Sequence, residues 1–273
     1  GLESARRRLE ALPFTGVAVL LTFFGVLPYA AATFALGVFD LASFAALLAL
    51  AALLSFWYIF LPPRWSSDLA FLVVMVTAIL SGVVRQQYPS VHPRLPLSEL
   101  GHVMWFRTGI AAILMVRKVD GLVFGFWPTK PEWRAGVRYF TMFVPLAAVL
   151  AWAIGFGRLH VPNASLDRVA VQAIGTFFGF LWVVGLAEEF FFRGLLQAWV
   201  AEWLGNQRLA LCLVSVAFGS VHLWFKPFPN WRFAIMAALA GVFYGLAFQK
   251  EKSVRASAVT HALTVTVWRL FVA

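Results

Sequence analysis

The sequence predicts an all-α fold, a polytopic membrane helical bundle of eight to nine transmembrane helices. Three observations predict it. Charged residues make up 12% of the 273 and hydrophobic residues 62%, whereas a soluble domain carries about 25% charged residues. Mean hydropathy is +0.82. Apolar runs long enough to cross ~30 Å of hydrocarbon recur along the whole chain, so there is almost no room for a soluble domain.

The runs fall at 13–38, 41–61, 69–84, 99–116, 138–156, 169–190, 209–225, 231–248 and 254–272. Only Phe39 and Asp40 separate the first two, which predicts a tight helical hairpin. The run at 69–84 is short, and the run at 99–116 carries His102 and Arg107; these two make the count eight or nine. The longest polar connection, 117–137, holds Pro128, Pro131, Trp127 and Trp133 and reads as an interfacial elbow. It divides N-terminal helices, 1–137, from a C-terminal helical core, 138–273, where the chemistry lies. Gly175 with Gly179, and Gly241 with Gly245, are small-residue pairs four apart that would admit close helix packing.

Net charge is +10, but the basic residues lie between apolar runs, where they set orientation and meet anionic headgroups. With no basic domain, nucleic-acid binding is excluded. A nine-span path puts Arg6, Arg7, Arg8, Arg64, Arg117, Lys118, Lys130, Arg134, Arg138, Arg208, Lys250, Lys252 and Arg255 inside. The outside then holds Arg85, Arg94, Arg158, Arg168, Lys226, Arg232 and Arg269, so the N-terminus is expected in the cytoplasm. Tryptophans at run ends (Trp57, Trp65, Trp127, Trp133, Trp203, Trp224, Trp231) read as interfacial belts. The single cysteine, Cys212, rules out an intramolecular disulfide and is expected as a small core residue.

Two adjacent glutamates, Glu188 and Glu189, end the uncharged stretch Val169–Ala187. A charge at membrane depth costs from about 2.5 kcal/mol upward and marks a functional site by default. Glu189 and Arg193 are four apart in the order that favours a helical ion pair, while Glu188 points about 100° away with no partner on its own helix. Two of the five histidines, His222 and His261, fall in later apolar runs. Such a histidine often serves only as a helix-packing hydrogen bonder, and both glutamates could serve the same end. Three polar groups from three helices could instead prime a water: Glu188 as base, one imidazole orienting the water, the other steadying an oxyanion. Glu188, His222 and His261 are also a possible zinc ligand set. In the nine-span path Glu188 lies near the inner end of its run and His222 near the outer end of the next. Catalysis at one depth therefore requires the Glu188 helix to continue toward Trp203 with a break near Gly185, or the boundaries to shift.

Glu188-Glu189-x-x-x-Arg193, then Phe218-x-x-x-His222, then His261, resembles the three motifs of the CAAX protease and bacteriocin-processing (CPBP) family. That family contains the Rce1-type prenyl-protein endopeptidases and is also called the glutamic intramembrane protease family. The resemblance covers about the last 90 residues. It implies a bundle of about eight spans, with Glu188 activating water together with His222, His261 stabilising the oxyanion, and Glu189 and Arg193 holding the geometry. Val265 stands where the family usually has Asn or Asp, leaving Thr264 or Thr266 as a substitute donor, or His261 alone. A base and a separate oxyanion histidine favour a mechanism without a cofactor, with zinc as the alternative.

The expected function is an intramembrane endopeptidase acting on a membrane-bound protein or peptide: a prenylated or otherwise lipidated tail, a peptide leader or a C-terminal sorting helix. Its other partner is the bilayer, with the oligomeric state open. The expected location is a prokaryotic inner membrane, where a sorting-signal protease suits the chain better than a CAAX enzyme. A non-catalytic scaffold or immunity-type binding protein is the alternative, favoured by Val265. A proton-coupled transporter would lack its paired broken helices.

Overall fold

A computed structural model describes residues 12–91, 97–118, 125–225 and 227–272. No β-strand is found among the described residues, and the chain forms two units, Gly1–Asp120 and Gly121–Ala273. The expected helical membrane bundle is what is observed.

In the first unit, α1 spans Phe14–Ala35 and α2 spans Leu41–Phe60. They form the hairpin that the sequence predicts. Asp40 caps α2 by accepting from the Ser43 backbone N–H at 2.7 Å, which holds its carboxyl below the usual carboxylate range. Helix α3 covers Trp65–Leu80, α4 is the single turn Val83–Gln86, and α5 runs Leu97–Ala112 with a π turn at Ile113–Arg117. Asp68 and Arg117 close this unit. Arg117 donates to both Asp68 oxygens, at 3.1 and 2.9 Å, and the Tyr58 hydroxyl donates to the same carboxylate at 2.9 Å.

In the second unit, α6 is Lys130–Ile154, α7 is the unbroken run Leu166–Leu204, α8 is Gln207–Val221, α9 is Trp231–Glu251 and α10 is Val254–Phe271. A 3-10 turn, His222–Trp224, ends α8. Helix α6 starts before the expected residue 138 because the Thr129 backbone N–H finds the Glu132 carboxylate at 2.6 Å. That carboxylate also accepts twice from Arg255 on α10, at 2.8 and 3.1 Å, tying the two helix starts together. The core joins Phe143 and Ala147 of α6, Phe218 of α8, and Met236, Ala240, Phe243 and Tyr244 of α9.

Seven helices are long and apolar enough to cross a membrane, and Trp65–Leu80 is a shorter apolar one. The expected span at 254–272 is a helix but not one of the seven. Its small and polar residues, Ala256, Ser257, Ala258, Thr260, His261 and Ala262, are buried. A helix enclosed by protein has no need of a lipid-facing surface, so its hydropathy is low.

Other packing expectations divide. Gly241 and Gly245 allow close approach: a Cβ on Gly241 would meet the Arg193 guanidinium and the Ser215 backbone, each at 3.2 Å, and one on Gly245 would meet Gln197 and Leu211. Gly175 and Gly179 face open space. Cys212, expected in the core, is exposed on α8. Arg6, Arg7, Arg8, Arg94 and Lys226, used to assign orientation, lie outside the described residues.

Candidate active site

Helix α7 carries the glutamates in mid-helix. Its 39 residues would extend up to about 58 Å at 1.5 Å per residue, well past the ~30 Å hydrocarbon core. The helix therefore tilts or projects beyond it. It is α-helical over Leu166–Gly179, π-helical over Phe180–Gly185, α-helical over Leu186–Glu189, and π-helical again over Phe190–Gln197. π segments inside α-helices occur frequently at functional sites, and here two flank Glu188 and Glu189. The break expected near Gly185 is thus a change of winding, and the helix continues past Trp203 to Leu204.

This continuation resolves the depth conflict. Glu189 lies fifteen residues before Leu204, and His222 fifteen residues after Gln207, across the turn that joins α7 to α8. Each is therefore about 22 Å from that turn. The same symmetry holds across the α9–α10 turn, where Tyr244 lies seven residues before Glu251 and His261 seven after Val254. The imidazole of His261 stacks on the Tyr244 ring, centroids 4.4 Å apart and planes 23° apart.

Glu189 is sealed, with no side-chain exposure. Arg193 Nη1 donates to its Oε1 at 3.0 Å, and His261 Nδ1 meets the same oxygen at 2.7 Å. The Ser257 hydroxyl donates to Oε2. Arg193, also fully buried, donates from Nη2 to the Gly241 carbonyl at 3.2 Å and lies over the Phe218 ring at 4.5 Å. The sequence pairs Glu189 with Arg193, and the structure adds a histidine and a serine to that pair.

Glu188 has a different environment. A third of its side chain, 33%, remains exposed. Its Oε2 stands 3.9 Å from His261 Nε2, beyond hydrogen-bond range but close enough for charge to be felt. His261 thus lies between the two carboxylates. Its Nδ1–H goes to Glu189 and its Nε2 turns toward Glu188, with Phe180 and Phe218 packed against its ring.

His222 joins the group through Phe218, whose ring touches both imidazoles, at 4.8 Å from His222 and 5.7 Å from His261. Its Nδ1–H donates to the Phe218 carbonyl at 2.8 Å. That bond fixes the tautomer, leaving the lone pair of Nε2 free to accept. Phe225 and Phe233 enclose the ring, at 5.3 and 4.8 Å.

Thr264 and Thr266, considered as oxyanion donors, give their hydrogens to the carbonyls of Thr260 and Ala262, at 2.9 and 2.7 Å. Among the described residues no group of three or more His, Cys, Asp or Glu side chains is close enough together to hold a metal ion. Sequence reasoning missed Ser257 and Tyr244. Ser257 was accessible, since it lies one turn before His261 on the same face of α10.

The fold and site define an integral, multi-pass helical membrane protein with a glutamate–histidine centre enclosed by its helices. Residues 170–267 match the family model described as type II CAAX prenyl endopeptidase Rce1-like, so this part of the chain is similar to the CAAX protease family. That family supports a CAAX-type intramembrane endopeptidase with a membrane-associated peptide substrate. Comparison with curated proteins and with solved structures finds no match.

Proposed function

We propose that the protein is an intramembrane endopeptidase in which Glu188 activates a water to hydrolyse a peptide bond. The carrying observation is the asymmetry of the two glutamates: every oxygen of Glu189 is engaged, while Glu188 is partly open beside an imidazole. His222 Nε2 accepts one hydrogen of the water, Glu188 takes the other proton, and the water oxygen attacks the scissile carbonyl carbon. The negative charge then forms on the former carbonyl oxygen. His261 donates to that oxygen from Nε2 as the imidazolium, its Nδ1–H being held by the Glu189 carboxylate at 2.7 Å. Collapse of the intermediate breaks the C–N bond, and Glu188 returns its proton to the leaving amine. Arg193 and Ser257 hold Glu189, which holds His261.

The substrate we propose is the end of a membrane-bound protein or peptide: a sorting helix, a leader or a prenylated tail. We also propose a prokaryotic inner membrane and a cytoplasmic N-terminus, on the distribution of basic residues. We assign no metal to the mechanism, and retention of full activity after chelation is the expected outcome; reversible loss would replace it with zinc chemistry. A co-expressed membrane reporter should be cleaved by the natural chain and left intact by Glu188→Gln, which should still insert and fold. Full cleavage by that variant removes Glu188 from the chemistry. A non-catalytic scaffold has one observation in its favour, the apolar Val265 one turn past His261. For a scaffold, Glu188→Gln and His222→Ala would both leave partner binding intact, and the natural chain would cleave nothing.

A further inference from the structure

Tyr244 is buried beside the reacting groups, and the mechanism above gives it no task. Its ring lies flat against His261, and the Arg193 guanidinium lies 5.2 Å from its ring centroid. An oxyanion is generally held by preorganised donors aimed at the point where charge develops, and His261 Nε2 supplies only one. Helix α10 has no second hydroxyl to offer near it. Ser257 donates to Glu189, Thr260 to the carbonyls of Gly136 and Ala256, Thr264 to Thr260 and Thr266 to Ala262. Val265, which shares the face of His261 one turn on, has nothing to donate.

The Tyr244 hydroxyl reaches this place from the opposite helix. It lies against the Thr264 side chain, one turn past His261 and beside Val265. Resting on the peptidase function proposed above, we propose that the Tyr244 hydroxyl is the second oxyanion donor, supplied by α9 in place of the donor α10 lacks at residue 265. It donates a hydrogen bond to the oxygen that becomes negative when water adds to the carbonyl. Its proton stays on the phenol throughout, and no bond to Tyr244 forms or breaks.

The test uses the full chain in liposomes with a panel of quenched-fluorescence membrane peptides, an S-farnesyl CAAX peptide among them, taking whichever peptide the natural chain cleaves fastest. Tyr244→Phe keeps the ring and its stack and removes only the hydroxyl. It should lower kcat by about 100-fold with KM unchanged and thermal stability intact, the range expected for losing one oxyanion donor. Val265→Asn in the Tyr244→Phe background places a donor on the His261 face and should restore at least tenfold. Tyr244→Phe with kcat within threefold of the natural chain overturns the proposal. A double variant no faster than Tyr244→Phe also overturns it, because Tyr244 then acts elsewhere than at the oxyanion. Glu188→Gln in the same assay separates the two claims. If it is inactive while Tyr244→Phe is fully active, only the tyrosine assignment falls. If it is active, or if the natural chain cleaves no peptide of the panel, the peptidase mechanism falls and this inference with it.

Discussion

Among the buried carboxylate–arginine pairs, Asp68–Arg117 of the first unit and Glu189–Arg193 of the second invite comparison, and only one of these two belongs to a candidate site. In the first unit Asp68 takes two hydrogen bonds from Arg117 and one from Tyr58. In the second, Glu189 takes one each from Arg193, His261 and Ser257. Judged by burial and pairing they are alike, since a buried carboxylate must be paired to be tolerated at all. The difference lies next door. Asp68 follows Ser67, whose hydroxyl is taken up by loop carbonyls, whereas Glu189 follows Glu188, a second carboxylate partly open and 3.9 Å from an imidazole. A closed ion pair is a brace. A closed ion pair that also orients a histidine toward an unpaired carboxylate is equipped for chemistry.

The comparison can be broken at several points. The largest effect is expected from Glu189→Ala, which leaves the fully buried Arg193 without its counter-charge and releases His261. Removing one partner of a buried pair costs about 3–5 kcal/mol, so a fall of that size in chemical unfolding together with complete loss of cleavage is expected. A stable, active variant would show that Glu189 holds nothing. Asp68→Ala should cost less, about 1–3 kcal/mol, because the Arg117 side chain keeps 21% exposure and can reach solvent or headgroups. Cleavage per folded molecule should be unchanged, and a lowered kcat in the fraction that remains folded would give the first unit a part in catalysis. Gly241→Ala tests the packing behind the pair. The added methyl would press on Arg193 and Ser215, with an overpacking cost of about 1–3 kcal/mol and a kcat reduction larger than that of Gly175→Ala, whose Cβ meets nothing. Val265→Asn alone should have the smallest effect, changing kcat by less than threefold while Tyr244 is present.

The helical bundle was legible because lipid demands long apolar helices with their backbone groups satisfied internally. Among the expected spans, α3 falls short in length and α10, which protein encloses, in hydropathy. The small and polar residues of α10 gave a run that is helical but not a lipid-type span. The pairing of Glu189 with Arg193 was also legible, since a spacing of four on a helix fixes which side chains meet. Depth was not legible from run boundaries, because charged Glu188 and Glu189 ended the apolar run while the helix itself continued to Leu204. Contacts between elements were hidden as well. Nothing in the spacing of Ser257 points to α7, although its position one turn before His261 could have suggested a shared partner. The stack of Tyr244 on His261 depends on the α9–α10 turn, Lys252 and Ser253, whose place only the structure fixes. Trp127 and Trp133, expected as separate belt residues, pack with each other and with Phe177, Phe178 and Trp182, partners that lie 44 to 55 residues further along the sequence.

The unequal state of the two glutamates can be read directly by carboxyl labelling. Treatment of the folded protein in liposomes with a lipophilic carbodiimide, followed by peptide mass spectrometry, should place the N-acylurea on Glu188 while Glu189, Asp68 and Glu132 stay unmodified. Cleavage should fall in proportion to the label. A label on Glu189, or full activity with Glu188 completely labelled, would contradict the division of roles on which the account rests.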